Sequence, residues 1–107
     1  MSNIINLTKA GITDINDIFK WRNHPDIRKN FFNQEMLSWD EHEKWFMARL
    51  SDPDATVYMA YHRKEKIGSI RFESKDSVIK TSVMLNPDFL GKGLGLQVIK
   101  MGIEKFI

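Results

Sequence analysis

The first third of the chain combines one short strand pattern with helical periodicity. Residues 4–7 form an apolar run typical of a β-strand. Thr13 is expected to cap a helix over roughly 14–22. Pro25 ends that helix, because proline disfavours helical backbone in the residue before it. The face predicted to pack inward carries Ile15, Ile18, Phe19 and the aliphatic part of Arg22.

The next segment predicts a short helical turn, a loop and a longer helix. The turn is expected over residues 26–29, and residues 30–34 are predicted to be a loop with two large aromatic side chains. Ser38 and Glu41 match a capping box that opens a helix ending near Leu50. The apolar stripe of this helix consists of His42, Trp45, Phe46, Arg49 and Leu50.

Three β-rich runs follow, separated by short polar turns. They cover residues 56–61, 66–73 and 77–85, and turns this short make neighbouring strands antiparallel. A final apolar helix is expected to follow them. The predicted order is therefore β-α-α-β-β-β-α, an α+β fold in which helices flank a mainly antiparallel sheet.

Composition narrows the class of protein. A chain of 107 residues with 42% hydrophobic side chains predicts a single small globular domain, covering 1–107. Sixteen basic and 14 acidic residues are interspersed, so neither a nucleic acid nor a membrane is expected as a partner. A cytoplasmic protein is expected, because no signal peptide or long apolar run is present. The last residues continue an apolar helix without a stop signal, so the chain is expected to be incomplete at its C-terminus.

Several kinds of chemistry are excluded or disfavoured by residue type. The chain has no cysteine, which excludes disulfides, thiolate metal sites and a cysteine nucleophile. The pair Glu41-His42 has no second ligand one helical turn further on, so no metal is predicted.

Three of the six glycines, Gly91, Gly93 and Gly95, lie between the last predicted strand and the final helix. Glycine costs backbone entropy in regular structure, so this cluster indicates that the backbone itself is needed there. A glycine-rich turn that opens a helix offers unpaired N–H groups to an anion, which predicts a phosphate or pyrophosphate site. Leu96-Gln97 follows instead of Lys-Ser/Thr, which disfavours a P-loop, and Leu96 breaks the dinucleotide fingerprint.

This loop resembles the acetyl-CoA signature of the GCN5-related N-acetyltransferases, Gln/Arg-x-x-Gly-x-Gly/Ala. Gly93 and Gly95 match the two small positions, while Leu90 stands where the family has Gln or Arg. The predicted order of elements also resembles the N-terminal portion of that family. The resemblance implies an enzyme that transfers an acetyl group from acetyl-CoA, its co-substrate, to a primary amine.

The resemblance also implies which residues hold acetyl-CoA. The backbone of the last strand would pair with the pantetheine arm, and the loop amides would bind the pyrophosphate. Lys92 either adds a charge contact or is simply a solvated loop lysine. The implied set is Val83, Met84, Leu85, Leu90, Gly91, Lys92, Gly93, Leu94 and Gly95.

The first half resembles a narrower branch of the family. Residues 21–29, together with Phe32-Asn33 and Ser38-x-x-Glu41-His42-x-x-Trp45-Phe46, resemble the enzymes that acetylate nucleotide-linked amino sugars in pseudaminic acid synthesis. Arginine suits a nucleotide diphosphate because its fork bonds two oxygens, whereas a structural ion pair is the alternative for Arg22. Core packing is the alternative for Phe32. The acceptor-binding residues implied are Arg22, Asn23, Arg28, Phe32 and Asn33.

The general base is left open between Glu73, His24 and His62. A base needs a pKa near neutrality and a path to the amine, and ordered water is an alternative route for the proton. Surface positions without a catalytic role are the alternative for both Glu73 and His24. The catalytic residues predicted are Glu73 and His24.

Two other functions compete with amino-sugar acetylation. The Trp-Arg-Asn end of the first helix is also similar to ribosomal-protein N-terminal acetyltransferases, so a protein N-terminus is an alternative acceptor. A non-catalytic domain that binds acyl-CoA or a partner is an alternative of a different class. The open edge of the last strand would also favour a homodimer.

Overall fold

The computed structural model describes residues 5–30 and 35–107. Four strands form one antiparallel sheet in the order β1-β2-β3-β4, which confirms the α+β prediction. The strands are β1 (Ile5–Lys9), β2 (Ala55–His62), β3 (Glu65–Lys75) and β4 (Val78–Leu85). The helices are α1 (Ile15–Asn23), α2 (Pro25–Arg28), α3 (Trp39–Ser51) and α4 (Leu94–Phe106). Short 3-10 turns cover Ile12–Asp14 and Pro87–Phe89.

The sheet is packed on both faces. On one face α4 covers a cluster that includes Ile70 and Phe72, and the Phe72 and Phe106 rings stack with centroids 4.4 Å apart. On the other face α1 and α3 cover Met59, which packs with Phe46 of α3, and both side chains are fully buried. Successive strand side chains point to opposite faces, so a single sheet supplies both apolar surfaces.

The start of α3 confirms the predicted capping box. Ser38 Oγ accepts a hydrogen bond from the Glu41 amide at 3.2 Å, and the Glu41 carboxylate accepts from the Ser38 amide at 3.3 Å. His42 and Phe46 then turn inward from the next helical positions. The helix therefore begins where its sequence satisfies the first free amides.

The start of α1 corrects one prediction. Asp14, rather than Thr13, is the N-cap residue, and Thr13 lies inside the preceding 3-10 turn. The Asp14 carboxylate accepts from the Gly11 amide at 2.9 Å, so its side chain organises the turn. The buried face also includes Trp21, while Phe19 and Arg22 stay half-buried.

Gly68 of β3 allows an unusually close approach to β4. A Cβ on Gly68 would lie 2.6 Å from the carbonyl oxygen of Met84 and 3.1 Å from Leu85 Cα. These are backbone atoms, which cannot move aside as a flexible side chain can. Within the part of the chain that the structure describes, no helix is long and apolar enough to cross a membrane.

We predict that Gly68→Ala destabilises the fold by about 1–3 kcal/mol, because the new methyl group forces β3 and β4 apart. Urea unfolding measures this change. Gly11→Ala is the matched control, since Gly11 has extended backbone and nothing within 4 Å of its Cβ position. An equal loss of stability in both variants would contradict the close approach.

Candidate active site

Residues 86–93 connect the end of β4 to α4, and the last part of this connection, residues 90–93, is the glycine loop. Asn86 fixes its start, because Asn86 Oδ1 accepts from the Asp88 amide at 3.0 Å and Nδ2 donates to the Lys66 carbonyl at 3.0 Å. Gly91 and Gly93 have φ angles of 76° and 72°, the left-handed region that favours glycine. The positive φ at both positions explains why the turn contains these two glycines.

The loop leaves the first turn of α4 open to an anion. Gly93 is the N-cap residue and supplies no side-chain hydrogen bond, so the first amides of the helix have no capping partner. Gly95 lies inside the helix, where a Cβ would only be in ordinary contact, 3.6 Å from Leu85 Cδ1. Lys92 is exposed, with Nζ 5.9 Å from the Phe89 ring centroid. These features fit a pyrophosphate group, which carries negative charge and many acceptor oxygens.

A cavity of about 450 Å³ lies on the opposite side of β4, between the sheet and helices α1 and α3. Strand β4 contributes Val83 and Met84 to its wall. These are two of the residues expected to pair with the pantetheine, so the cavity adjoins the expected donor strand. The other lining residues are Ile18, Arg22, Leu37, His42, Trp45, Phe46, Val57, Ser69, Arg71, Lys80 and Ser82.

The cavity wall is positively charged. It carries Arg22, Arg71 and Lys80, and no Asp or Glu occurs among its lining residues within the described ranges. Burial lowers the pKa of Arg22, and the neighbouring charge of Arg28 lowers it further. Both effects disfavour the cationic form of Arg22 relative to a fully solvated guanidinium.

His42 forms the buried aromatic end of the cavity. Its Nε2 lies 3.0 Å from the carbonyl oxygen of Ile15, so Nε2–H donates and Nδ1 is the free acceptor nitrogen. Nδ1 is buried with no hydrogen-bond partner in the described part of the chain. Burial lowers the pKa of His42; the Ile15 carbonyl opposes this, and the Arg22 charge adds to it. The imidazole is therefore neutral at neutral pH.

The predicted acceptor residues have different positions. Arg22 lines the cavity. The Asn23 side chain donates to the Leu37 carbonyl at 2.9 Å and accepts from the Leu37 amide at 2.7 Å, so it ties the segment before α3 to the end of α1. Arg28 Nε donates to the Asn23 carbonyl at 2.8 Å. Phe32 and Asn33 lie outside the described residues.

None of the three candidate bases is among the residues that line the cavity. His24 caps α2, with Nδ1 accepting from the Asp26 amide at 3.1 Å, and His62 ends β2 opposite Glu65. Glu73 is bound by Arg49 and Arg71 instead. Burial acts to raise the pKa of Glu73, but the bonds and charges of the two arginines outweigh it and lower the pKa. The catalytic roles of Glu73 and His24 stay predictions.

Sequence reasoning missed the polar side chains that β3 and β4 direct into the cavity. Ser69 and Arg71 alternate along β3, and their cross-strand partners are Met84 and Ser82. The alternation of Ser69, Arg71 and Glu73 was the available signal, because positions two apart share a face. Within the described ranges no cluster of three His, Asp or Glu residues could hold a metal ion, and the absence of a metal stays a prediction.

The chain belongs to the acetyltransferase (GNAT) domain family, whose model matches residues 5–106. Two relatives are acetyltransferases PseH of Campylobacter jejuni subsp. jejuni. One, from strain 81-176, is 31% identical over 72 residues, which are 67% of this chain and 45% of the relative. The other, from strain NCTC 11168, is 27% identical over 107 residues, 99% of this chain and 66% of the relative. The chain therefore spans less than two thirds of the first and just under two thirds of the second.

Solved structures share the fold at low sequence identity. Spermidine N-acetyltransferase from Vibrio cholerae, in complex with CoA and spermine, matches with a TM-score of 0.80 and 18% identity over 94% of this chain and 62% of its own. An acetyltransferase from Thermus thermophilus matches with a TM-score of 0.78 and 14% identity over 97% of this chain and 71% of its own. These matches confirm the predicted family fold.

We predict that His42 makes stability fall as the pH drops below about 6.5, its ordinary pKa. The unfolded chain binds the proton more readily than the folded chain, so acid favours unfolding, with a slope of at most about 1.4 kcal/mol per pH unit. His42→Gln removes the titrating group and should flatten this part of the profile. Urea unfolding between pH 5 and 8 measures it.

The control for this experiment is His24→Gln, which removes an exposed imidazole instead of a buried one. This variant should keep the slope of the original protein. A slope that is lost in His24→Gln and kept in His42→Gln would show that burial of His42 does not control the profile.

Proposed function

We propose that the protein transfers an acetyl group from acetyl-CoA to the primary amine of a nucleotide-linked amino sugar. The observation that carries this proposal is the cavity beside β4, which has three cationic side chains and no carboxylate among its described lining residues. An anionic acceptor fits this wall, and the shared residues Val83 and Met84 would bring its amine close to the donor strand.

The donor would be held by the glycine loop and β4. The open amides at the start of α4 would bind the pyrophosphate, and the left-handed residues Gly91 and Gly93 give the loop its shape. The backbone of Val83, Met84 and Leu85 would pair with the pantetheine arm in the manner of an added strand. Bound there, acetyl-CoA supplies the thioester whose acyl carbon the amine attacks.

The acceptor would use the cationic wall for its diphosphate. Arg22 and Arg71 offer planar forks that can bond two phosphate oxygens, and Lys80 adds a third charge. The Trp45 ring provides an apolar face for a base or a sugar. The relatives named PseH support this acceptor, while their low identity leaves it a proposal.

The charge of the cavity also argues against a polyamine acceptor. Spermidine and spermine are polycations, and a wall with Arg22, Arg71 and Lys80 would repel them. The Vibrio cholerae spermidine N-acetyltransferase, at 18% identity, is evidence for the fold alone. A peptide N-terminus carries one amine and no required anion, so it would not use this wall.

The same charges would help to prepare the amine. In the reaction a nitrogen–carbon bond forms, the carbon–sulfur bond breaks, and the amine must first lose its extra proton. Nearby cations lower the pKa of an ammonium group, because they destabilise its charged form. A neutral amine would thus be available with water as the proton acceptor, even where no strong base lines the cavity.

We expect Gly95→Glu to weaken acetyl-CoA binding at least about tenfold, measured by calorimetry at low salt. The carboxylate would stand in the first turn of α4 and repel the pyrophosphate, while an acid there is compatible with the helix dipole. Raising the salt concentration should reduce the loss, because salt screens exposed charges.

Two control variants test whether the effect of Gly95→Glu comes from its charge, rather than from the size of the new side chain, and whether it depends on position 95. Gly95→Gln adds a side chain of similar size without charge and should lose much less affinity. Leu96→Glu adds the same charge one residue along, at an exposed position of α4. Unchanged binding in Gly95→Glu would argue against a pyrophosphate site at this helix.

An acceptor panel tests the second half of the proposal. Thiol release from acetyl-CoA should be fastest with a UDP-linked amino sugar, compared with spermidine and with a peptide amine. Arg71→Met should raise the KM for the nucleotide sugar about tenfold or more, because a charged hydrogen bond contributes roughly 1.5–3 kcal/mol. The KM for acetyl-CoA should not change.

Lys44→Met is the matched control, because Lys44 is an exposed cation on α3 and does not line the cavity. It should leave both KM values unchanged. Preferred turnover of spermidine or of the peptide would instead overturn the assignment of the acceptor, without affecting the assignment of the donor.

A further inference from the structure

Glu73 is the centre of a charged network beside the cavity. Its Oε1 accepts from Arg71 Nε at 2.8 Å, and its Oε2 accepts from Arg49 Nη1 at 2.8 Å. Arg49 Nη1 also lies 3.6 Å from Asp52 Oδ2. Two guanidinium groups and two carboxylates therefore balance in charge, and both oxygens of Glu73 are engaged.

This network fixes Arg71 from three directions. Glu73 bonds its Nε, the Ser82 hydroxyl accepts from Nη2 at 3.3 Å, and the guanidinium carbon lies 4.8 Å from the centroid of the Trp45 ring. Arg71 lines the cavity, and the hydrogen bonds it makes within the described ranges use Nε and Nη2, not Nη1. A planar cation held in one orientation with a free edge is suited to binding an oxyanion.

The register of β3 and β4 brings these groups to one face of the sheet. Arg71 is opposite Ser82, and Glu73 is opposite Lys80. Glu73 is thus the cross-strand neighbour of Lys80 and the same-face neighbour of Arg71, the two cations that line the cavity from the sheet. Its carboxylate bonds both Arg49 and Arg71, so it offsets the repulsion between these two cations.

The same contacts make Glu73 a poor base. A useful base accepts a proton at little free-energy cost. Protonation of Glu73 would instead weaken its two charged hydrogen bonds to guanidinium groups. Its pKa is lowered, which reflects those bonds. It also does not line the cavity, so it has no direct contact with an amine bound there.

We propose that Glu73 is a positioning residue, which orients Arg71 so that the free edge of its guanidinium binds the phosphate of the acceptor. This inference rests on the proposed function, because it takes the acceptor to be a nucleotide-linked amine. It changes the role predicted for Glu73 from proton transfer to acceptor recognition.

The test is a comparison of Glu73→Gln with the original protein, using a UDP-linked amino sugar and acetyl-CoA. The KM for the acceptor should rise about tenfold, while kcat stays within about threefold and the KM for acetyl-CoA is unchanged. The acidic limb of the pH profile of kcat/KM should keep its position. Glu43→Gln, which removes an exposed carboxylate from α3, should leave all of these values unchanged.

A double-mutant cycle makes the inference specific. In the Arg71→Met background, Glu73→Gln should add little to the KM, because its effect passes through Arg71. A large fall in kcat together with loss of the acidic limb would overturn the inference and identify Glu73 as the base. Independent, additive effects of the two substitutions would also overturn it.

Two further measurements cover the case in which Glu73→Gln does not fold and the case in which the acceptor is not a nucleotide sugar. If Glu73→Gln does not fold, the folded Glu73→Asp variant should still raise the acceptor KM, and an unchanged KM overturns the inference. Calorimetry with UDP alone should give weaker binding to Glu73→Gln in the same proportion as the KM. If the protein turns over the nucleotide sugar with a KM that the Glu73 substitutions do not change, only this role of Glu73 is rejected. If the protein neither binds UDP nor turns over the nucleotide sugar, the proposed acceptor is rejected.

Discussion

The pairing of β3 with β4 is the constraint on which both halves of the candidate site depend. It places Ser69, Arg71 and Glu73 opposite Met84, Ser82 and Lys80 on one face of the sheet. A shift of one residue would turn all of these side chains toward α4 and remove the cationic wall. Gly68 allows the close contact at the end of this pair, next to Leu85, where the chain leaves β4 for the glycine loop. The register therefore sets the cavity wall and the start of the glycine loop together.

Charge is distributed unevenly around that strand pair. On the cavity side the cations are in excess, while just behind them Glu73 and Asp52 neutralise Arg49 and one side of Arg71. Lys66, near the glycine loop, is bound by Asp14 and Asp17 and is therefore not available as a free charge. Strong ion pairs thus engage Lys66, Arg49 and one side of Arg71, and Arg71 also lines the cavity.

Much of the fold was predictable because its signals are local. The capping box of α3, the stop at Pro25, and the short turns between β2, β3 and β4 each depend on residues a few positions apart. Thr13 is predicted to cap α1 because a hydroxyl suits that position. Asp14 is the N-cap residue instead, and its carboxylate also forms an ion pair with Lys66 of β3. The glycine loop was predictable for the same local reason. The cavity was not, because its wall combines α1, α3 and three strands, and only the cross-strand register reveals that Arg71 meets Ser82 and Trp45.

The two positive regions of the site have a joint consequence for the amine. One is the start of α4 with its open amides, and the other is the wall formed by Arg22, Arg71 and Lys80. Strand β4 lies between them, so an amine delivered to Met84 would feel positive potential from both sides. Such a potential favours the neutral amine and also stabilises the thiolate that leaves the acyl carbon. Under the proposed function, each region would attract one anion, the pyrophosphate of the donor or the diphosphate of the acceptor. The positive potential that those anions leave uncompensated would favour the neutral amine, so such a site would depend less on a strong base.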